Sequence, residues 1–221
     1  MSATFQTRKA LNAHIWDRGD NDWYIEPSWC SERLFAEEKF EAPIWDPCCG
    51  LGTIPEAAIG AGLEAVGTDI VDRGYVGLSD TVDFLSCTFG RCPNIVCNPP
   101  FNIVKAFALH ALSLADKVAM VCPTARLNAA RWLQGTPLMR VWLMTPRPSM
   151  PPGHVVRDGG KPSGGKTDFC WLVWSKDHTG PAELRWLQRD APRDENWPDI
   201  HDHASQLADA GIHADDAEGW A

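Results

Sequence analysis

The stretch Asn94-Ile95-Val96-Cys97-Asn98-Pro99-Pro100-Phe101 decides the fold class, because it joins a strand to a motif that carries polar chemistry. Its first four residues form a short apolar run typical of a buried parallel strand. Residues 102–115 are amphipathic and predict a helix directly after the motif. The motif therefore lies where a strand ends and a crossover begins, the edge at which open α/β sheets bind ligands.

The motif Asn98-Pro99-Pro100-Phe101 suits the binding of a planar amino group. An exocyclic amine on an aromatic base is a poor nucleophile, because its lone pair is delocalised into the ring, and a site that accepts both N–H hydrogens counters this. The side-chain oxygen of Asn98 and the backbone carbonyl of Pro99 are two such acceptors, and the prolines stiffen the segment by fixing φ. Phe101 offers a ring face for a base to stack on. The alternative is a turn that only ends the strand, because Asn-Pro commonly starts turns.

A glycine-containing turn between a strand and a helix precedes the motif, over residues 42–60. Gly50 and Gly52 allow the backbone to approach a ligand closely, and the helix predicted from Thr53 to Gly60 presents free N–H groups at its start. Asp46, at the end of the strand, can hold an ammonium or hydroxyl group. A Gly-x-Gly pattern is a weak signal alone, but the strand–turn–helix context that it requires is present.

A second strand, residues 64–70, ends in Asp69 and Ile70. An acid at the end of the second strand of such a sheet is well placed to accept hydrogen bonds from two ribose hydroxyls. Asp83 and Phe84 follow, and a carboxylate beside an aromatic ring can accept from an adenine amino group and stack on its ring. The Asp-Phe pair is uninformative on its own, so its interpretation depends on the rest of the chain.

In their order and spacing, five of these features resemble the class I S-adenosylmethionine-dependent methyltransferases: Asp46, Gly50-x-Gly52, Asp69, Asp83-Phe84 and Asn98-Pro99-Pro100-Phe101. Within that class the chain is similar to the DNA adenine-N6 methyltransferases, and to small phage and prophage proteins of this type. The resemblance covers residues 22–176. It is specific for the cofactor and the reaction type and poor at naming the substrate.

An upstream segment, Tyr24-Ile25-Glu26-Pro27, is similar to the Tyr-x-Thr-Pro motif of many members of the family. Glu26 stands where those proteins have threonine, which leaves the hydrogen bonding at this position open. The resemblance assigns the catalytic motif to Asn98, Pro99, Pro100 and Phe101. It assigns cofactor binding to Tyr24, Glu26, Pro27, Asp46, Pro47, Cys48, Gly50, Gly52, Asp69, Ile70, Asp83 and Phe84.

The resemblance also implies the cofactor, S-adenosyl-L-methionine, and the fold. The expected fold is Rossmann-like α/β, with a seven-stranded mixed sheet in the order 3-2-1-4-5-7-6 and helices on both faces. Three strands are predicted after the motif, the last of them antiparallel: 117–122, 138–144 and 168–174. A helix is predicted at 125–134. Another, N-capped by Ser28, is predicted to run to about Phe40 with one buried face, namely Trp29, Cys30, Leu34 and Phe35.

The chain divides by composition into three parts. Residues 1–21 are predicted to be an N-terminal arm, residues 22–176 the catalytic domain, and residues 177–221 an acidic C-terminal extension. Within the domain, residues 145–166 form a loop rich in glycine and proline. Such a loop is a candidate lid or substrate grip, or else a disordered connector.

Charge is distributed unevenly along a chain whose net charge is −9. Residues 117–166 hold eight basic residues and one acid, which predicts a surface that faces phosphates. The alternative is chance clustering of solvated side chains. The residues predicted to bind a nucleic-acid substrate are Arg126, Arg147, Arg157, Lys161 and Lys166.

Several classes of protein and site are disfavoured. The sequence contains no run of about 18 apolar residues, so no membrane span is predicted. Residues 1–6 lack the apolar core of a signal peptide, so we expect a cytoplasmic protein. The eight cysteines match no zinc pattern and are interpreted as reduced core residues. His201-Asp202-His203 with Asp199 has metal-ligand composition but lies in the acidic extension, where such residues are usually solvated. We therefore predict no metal.

The expected function is methyl transfer to an exocyclic amine, with adenine N6 in DNA favoured. A duplex target would have to be flipped out of the helix. The alternatives are an RNA base or a protein glutamine held by the same clamp, or a binding module that serves a partner without turnover. Little room remains for a target-recognition region. Recognition is therefore relaxed, supplied by a partner, or directed at something other than duplex DNA.

Overall fold

An eight-stranded sheet forms the centre of the protein, seen in a computed structural model that describes residues 23–88, 92–160 and 165–190. The strand order is β3-β2-β1-β4-β5-β7-β6-β8. The strands are β1 (Ile44–Asp46), β2 (Ala65–Asp69), β3 (Leu78–Thr81), β4 (Cys92–Cys97), β5 (Ala115–Pro123), β6 (Leu138–Thr145), β7 (Phe169–Ser175) and β8 (Glu183–Gln188). The α-helices are α1 (Ser28–Glu37), α2 (Thr53–Gly60), α3 (Val104–Leu114) and α4 (Gly153–Arg157).

The direction of the strands confirms the predicted topology. β3, β2, β1, β4 and β5 run parallel, and β7 is antiparallel to both β5 and β6. The predicted order 3-2-1-4-5-7-6 is therefore present, with one strand added. The extra strand, β8, pairs in parallel with β6 and lies in the segment that we assigned to the C-terminal extension. Its residues are mostly exposed and mixed in character, with only Leu187 buried, so its sequence lacks a strand-like apolar run.

Helices cover both faces of the sheet, as predicted. Ala119 and Val121 of β5 belong to the apolar cluster that also contains residues of α1 and α2. Val118 and Met120 point to the opposite face, where the cluster includes residues of α3. Burial on both faces explains why these strands read as continuous apolar runs.

Helix α1 differs from its prediction at both ends. Ser28 is its first residue and Pro27 occupies the N-cap position without a side-chain hydrogen bond, so Ser28 does not cap the helix. The helix ends at Glu37 instead of continuing to Phe40, because Glu38 has an extended backbone. The Glu38 carboxylate is buried, where it accepts hydrogen bonds from Lys117 Nζ at 2.8 Å and Trp142 Nε1 at 2.8 Å. These contacts hold Glu38 in the extended conformation in which the helix ends.

The helix predicted at 125–134 is wrong, because this segment forms two short 3₁₀ helices, Thr124–Arg126 and Arg131–Gly135. Arg126 donates to the carbonyl oxygen of Phe101, while the Trp132 ring stacks on Trp174 with centroids 6.3 Å apart. These two contacts lie on different parts of the domain. Tertiary contacts of this kind override the modest helical propensity of the segment.

The loop after β6 contains structure and is attached to the start of the domain. It includes α4, and Pro152 forms an isolated antiparallel bridge with Tyr24. Ile25 N–H donates to the Pro151 carbonyl at 3.0 Å, and Gly153 N–H donates to the Trp23 carbonyl at 2.9 Å. Two backbone hydrogen bonds therefore join segments that are far apart in sequence.

Some sequence predictions fall outside the described residues. They concern the N-terminal arm 1–21, Lys161, and the histidine-containing part of the extension after residue 190. Within residues 23–88, 92–160 and 165–190, no helix has the length and apolar character needed to cross a membrane.

Candidate functional site

A cavity opens at the carboxyl ends of β1, β2 and β4, and it collects most of the residues predicted to bind a cofactor. The strand ends meet here because the three strands are parallel neighbours. Predicted site residues that line the cavity are Tyr24, Glu26, Asp46, Pro47, Cys48, Gly50, Asp69, Ile70, Asp83, Phe84, Asn98 and Pro100. Four others are not among its lining residues in the described chain, namely Pro27, Gly52, Pro99 and Phe101.

The glycine-containing turn between β1 and α2 has the conformation that its sequence requires. Gly50 and Gly52 have φ of 56° and 86°, in the left-handed region that favours glycine. A Cβ on Gly52 would also lie 2.3 Å from the ring of Tyr75. Asp46, the last residue of β1, stabilises the turn, because its Oδ1 accepts a hydrogen bond from Cys48 N–H at 3.1 Å.

Asp69 ties this turn to the end of β2. Its Oδ2 accepts from Gly50 N–H at 2.9 Å, and its Oδ1 accepts from Val71 N–H at 3.1 Å. Arg73 Nε lies 3.4 Å from Oδ1 and forms an ion pair with it. Asp69 is buried, so its contact with a ligand would use only the lone pairs that these bonds leave free.

Trp23 and Arg73 line the cavity and were missed by the sequence analysis. The Arg73 guanidinium carbon lies 4.3 Å from the centre of the Trp23 ring. A Cβ on Gly50 or on Gly153 would come within 2.9 Å and 2.0 Å of the Trp23 ring, so the indole is wedged between two glycines. Its buried N–H has no hydrogen-bond partner in the described part of the chain. No motif marked either residue in the sequence.

Asp83 and Phe84, which we predicted to bind the adenine of the cofactor, line the cavity and also make contacts within the protein. Asp83 is exposed and caps the 3₁₀ helix Phe84–Ser86, with its carboxylate accepting from Leu85 N–H at 3.0 Å and Ser86 Oγ at 3.0 Å. The Phe84 ring is 2% exposed and packs against Trp45, at 5.4 Å between centroids. Phe84 therefore contributes mainly to the core beneath this end of the cavity.

Two buried carboxyl groups face the cavity from different elements. Burial raises the pKa of Glu26 to about 7, against hydrogen bonds that lower it. Burial also raises the pKa of Asp46 well above its usual value, with the charges of Glu26 and Asp69 adding to the effect. Glu26, Asp46 and Asp69 share this cavity with one guanidinium, that of Arg73, among the described lining residues. A ligand that carries positive charge would favour the ionised forms of Glu26 and Asp46, and these carboxylates would in turn stabilise the bound ligand.

The Asn98 side chain is held by two acceptors. Its Nδ2 donates to the Tyr24 carbonyl at 3.1 Å and to Glu26 Oε2 at 2.7 Å. Both hydrogens of the amide nitrogen are thus used, which leaves Oδ1 as the side-chain atom that can bind a ligand, and Asn98 is a lining residue of the cavity. Cys48 Sγ donates to the backbone carbonyl of Asn98 at 3.4 Å, which anchors the motif to the glycine turn.

Phe101 does not offer the free ring face that we expected, because its ring is 7% exposed and enclosed by other aromatic residues. Tyr24 stacks against it with centroids 6.1 Å apart, and Phe169 packs at 5.7 Å. Tyr24 is an aromatic residue that lines the cavity and whose backbone carbonyl is bonded to Asn98. Phe101 follows a buried strand and packs into the core. The sequence alone did not distinguish this buried position from one that faces the cavity.

Solved structures share this arrangement of strands, although no family model and no curated protein matches the sequence. A candidate RNA methyltransferase from Pyrococcus horikoshii matches with a TM-score of 0.51 and 14% identity, over 67% of this chain and 83% of that chain. The M protein of the type I restriction enzyme EcoKI matches with a TM-score of 0.50 and 12% identity, over 85% and 53%. The chain has the class I methyltransferase fold.

A third similar structure shows how widely this methyltransferase fold occurs. A candidate haemolysin from Lactococcus lactis matches with a TM-score of 0.51 and 11% identity, over 73% of this chain and 91% of that chain. Identities this low establish the fold alone. The chemistry must therefore be argued from the site.

In this methyltransferase fold two of the predicted substrate-binding residues, Arg126 and Arg147, follow strands that end at the same edge as Asn98. Arg126 follows β5 and is exposed, with Nη1 donating to the Phe101 carbonyl at 2.9 Å. Arg147 follows β6 and pairs with Asp168 at 2.6 Å, both about half exposed. Arg157 pairs with Asp158 at 3.5 Å, and Lys166 is exposed. These contacts leave the arginine and lysine heads at the surface.

Two members of the basic region do not belong to this surface. Lys117 and Arg140 lie near the starts of β5 and β6, at the opposite edge of the sheet, and both bind the buried carboxylate of Glu38. Their role is structural. The excess of basic residues in 117–166 therefore combines an internal ion pair network with a smaller exposed group near Asn98.

Proposed function

We propose that this protein is an S-adenosyl-L-methionine-dependent methyltransferase that acts on an exocyclic amino group, with adenine N6 in DNA as the favoured target. One observation carries the proposal, namely the state of the Asn98 amide. Its nitrogen is bonded to Tyr24 and Glu26, so the group that it offers at the cavity wall is the acceptor Oδ1. An acceptor beside a stiff Pro-Pro segment is suited to an amine and not to a carbonyl or phosphate oxygen.

The cavity fits the proposed cofactor in two respects. The buried carboxyl groups of Glu26 and Asp46 suit its ammonium and sulfonium charges, and the unpartnered N–H of Trp23 can donate to its carboxylate. Asp69 and Ile70 line the part of the cavity next to β2, where the fold would bring the ribose. The adenine would lie near Val82 and Leu85, with the Asp83 backbone beside it.

The residues of the chain would act by holding the amine. When bound, the cofactor supplies a methyl group on a positively charged sulfur. Asn98 Oδ1 and the Pro99 carbonyl would accept the two N–H hydrogens, which turns the nitrogen lone pair toward the methyl carbon. The cofactor would supply the methyl group and take up the electron pair of the broken carbon–sulfur bond, and the proton displaced from the amine nitrogen would pass to solvent. Positioning and fixed dipoles are the main catalytic contributions.

A nucleic-acid substrate is supported by the exposed basic groups near the clamp. Arg126, Arg147 and Lys166 stand on segments that surround the Asn98 edge, where they could contact phosphates. A duplex target base would be flipped toward the cavity, and Tyr24 takes the place of Phe101 as the ring beside it. The same clamp could hold an RNA base or a protein glutamine, and recognition of a target sequence could depend on a partner protein.

The decisive experiment is methyl transfer from labelled S-adenosyl-L-methionine, with duplex DNA, single-stranded DNA, structured RNA and a protein lysate as substrates. Asn98→Ala is the test variant, and Asn128→Ala, at an exposed position, is the matched control. We expect N6-methyladenine from DNA with the wild type and the control, and none with Asn98→Ala. Binding of the cofactor is measured in parallel by calorimetry.

The outcomes separate the alternatives. Label in RNA or in protein alone would keep the amine clamp and overturn DNA as substrate. Cofactor binding without transfer to any substrate would support a binding subunit that serves a partner. Transfer that persists in Asn98→Ala would show that the clamp is assigned to the wrong residue.

A further inference from the structure

Glu26 is the least expected residue of the cavity, because a threonine stands at its position in the motif that Tyr24-Ile25-Glu26-Pro27 resembles. Its side chain is 5% exposed and lines the cavity. Its Oε2 lies 2.7 Å from Asn98 Nδ2, a short distance for a neutral hydrogen bond and typical of a charge-assisted one. The hydrogen bond from Ile25 N–H to Pro151 fixes the backbone beside it.

The two acceptors of the Asn98 amide differ in what they can enforce. The Tyr24 carbonyl and an ionised Glu26 can only accept hydrogen bonds. A rotation of the amide by half a turn would place Oδ1 against both acceptors, which is repulsive. With both acceptors present, the amide has one favourable orientation, and Oδ1 is exposed to the cavity. The charged acceptor provides the stronger part of this preference.

We propose that Glu26 is a positioning residue that fixes the orientation of the Asn98 amide, so that the clamp presents an acceptor to its substrate and selects amines. This inference rests on the proposed function of Asn98 as the amine clamp. A clamp with the opposite orientation would present N–H donors and would suit a carbonyl or hydroxyl oxygen. The ionised Glu26 thus determines which kind of atom the site accepts.

The ionisation of Glu26 depends on the groups that face it. Asp46 at the end of β1, Cys30 of α1 and Cys97 of β4 are titratable groups near enough for the charge of Glu26 to raise their pKa values. No lysine or arginine of the described chain forms an ion pair with it. Burial raises its pKa to about 7, so the accepting form is complete above this pH and is lost below it. A protonated Glu26 can donate, and it no longer opposes the rotated amide.

A direct test uses the side-chain amide signals of the free, full-length protein in ¹⁵N NMR spectra, without cofactor or substrate. Loss of one pair of signals in Asn98→Ser assigns the Asn98 amide. We expect this pair to shift with pH, with a midpoint near the Glu26 pKa of about 7. The shift should be absent in Glu26→Gln and unchanged in Glu32→Gln, which removes a matched charge at an exposed position on α1. Signals of the wild type that do not respond to pH would overturn the proposal.

A second test measures methyl transfer at saturating cofactor over a range from about pH 6 to about pH 8. The wild-type kcat should fall toward the acid end of this range, with a midpoint below that of the free protein because the positive charge of the bound cofactor lowers the pKa of Glu26. Glu26→Gln should be slower by about tenfold at the upper end and nearly independent of pH. A Glu26→Gln variant with the wild-type pH profile would refute the positioning role. The NMR titration does not depend on turnover, so failure of the proposed methyl transfer and failure of this inference give different results.

Discussion

Arg126 Nη1 donates to the carbonyl oxygen of Phe101 at 2.9 Å, and this bond joins the exposed segment after β5 to the last residue of the proposed amine clamp. In the sequence analysis, Arg126 was predicted to contact a phosphate because it lies in the basic region 117–166. In the structure one nitrogen of its guanidinium group donates to the backbone that follows Pro99 and Pro100. The residue can therefore influence catalysis by holding this backbone in place, and the two roles are separable by experiment.

The first prediction concerns Arg126→Ala. Loss of the bond to the Phe101 carbonyl leaves the clamp backbone less restrained, so kcat should fall by roughly tenfold with cofactor affinity unchanged. If Arg126 acts only on the backbone, the dependence of DNA affinity on salt concentration will match that of the wild type. A reduction of the salt slope by about one would show instead that Arg126 contacts a phosphate.

The second prediction concerns Asp69→Ala. This change removes the acceptor for the N–H groups of Gly50 and Val71 and leaves the glycine turn unsupported. Cofactor affinity measured by calorimetry should fall by at least about tenfold, and the melting temperature should also decrease. Asp80→Ala, at an exposed position on β3, is the control and should change neither quantity. Unchanged cofactor affinity in Asp69→Ala would exclude a role for this carboxylate in the cavity.

The third prediction concerns stability at the opposite edge of the sheet, where Glu38 is bonded to Lys117, Arg140 and Trp142. Burial acts to raise the pKa of Glu38, but the hydrogen bonds from Lys117, Trp142 and Arg140 outweigh it and lower the pKa below 4.5. The stabilisation is therefore complete above the unfolded-state pKa and is lost as the pH falls through the folded-state value.

Glu38→Ala should accordingly reduce the free energy of unfolding at neutral pH by about 3 kcal/mol, because it leaves buried donors and cations unpaired. Urea denaturation at neutral pH and at about pH 3 will show whether the difference from the wild type shrinks in acid. Glu37→Ala removes an exposed ion pair with Arg33 and should change stability by less than about 1 kcal/mol. Equal effects of the two substitutions would contradict the structural role of Glu38.

The fourth prediction concerns Gly153→Ala in the loop after β6. An added Cβ would lie 2.0 Å from the Trp23 ring, so the indole must move from its place beside Gly50. Cofactor affinity should therefore fall by roughly tenfold, although residue 153 is not a lining residue of the cavity. Gly135→Ala is the matched control, because its Cβ would meet no atom within 4 Å. An unchanged affinity in Gly153→Ala would mean that Trp23 is not needed for binding.

The sequence was informative wherever one local signal determined the outcome. The apolar runs at 94–97 and 117–122 lie in β4 and β5, and Gly50 and Gly52 adopt the left-handed backbone that their turn required. Such signals depend on the residues themselves and on immediate neighbours. The order of the strands followed from the resemblance, since spacing alone does not specify which strands pair.

The features that were missed depend on contacts between distant residues. The end of α1 is set by the partners of Glu38 across the sheet, and the segment after β5 is shaped by Phe101 and Trp174. Phe101 is buried and Tyr24 lines the cavity because the two rings stack on each other, and this packing depends on residues that are far apart in sequence. The boundary between catalytic domain and extension, at residue 176 in our prediction, remains a prediction, although β8 lies beyond it.

The pairing of residues 23–25 with residues 151–153 also bears on how the protein is made. The segment that carries Trp23, Tyr24 and Glu26 is translated more than a hundred residues before the strand-like partner that bonds to its backbone. Until residue 153 has emerged from the ribosome, this segment lacks its backbone partners in the later loop and has only contacts such as those with Arg73 and Asn98. A ligand of this cavity therefore stabilises a chain that includes residue 153 more than it stabilises a shorter nascent fragment.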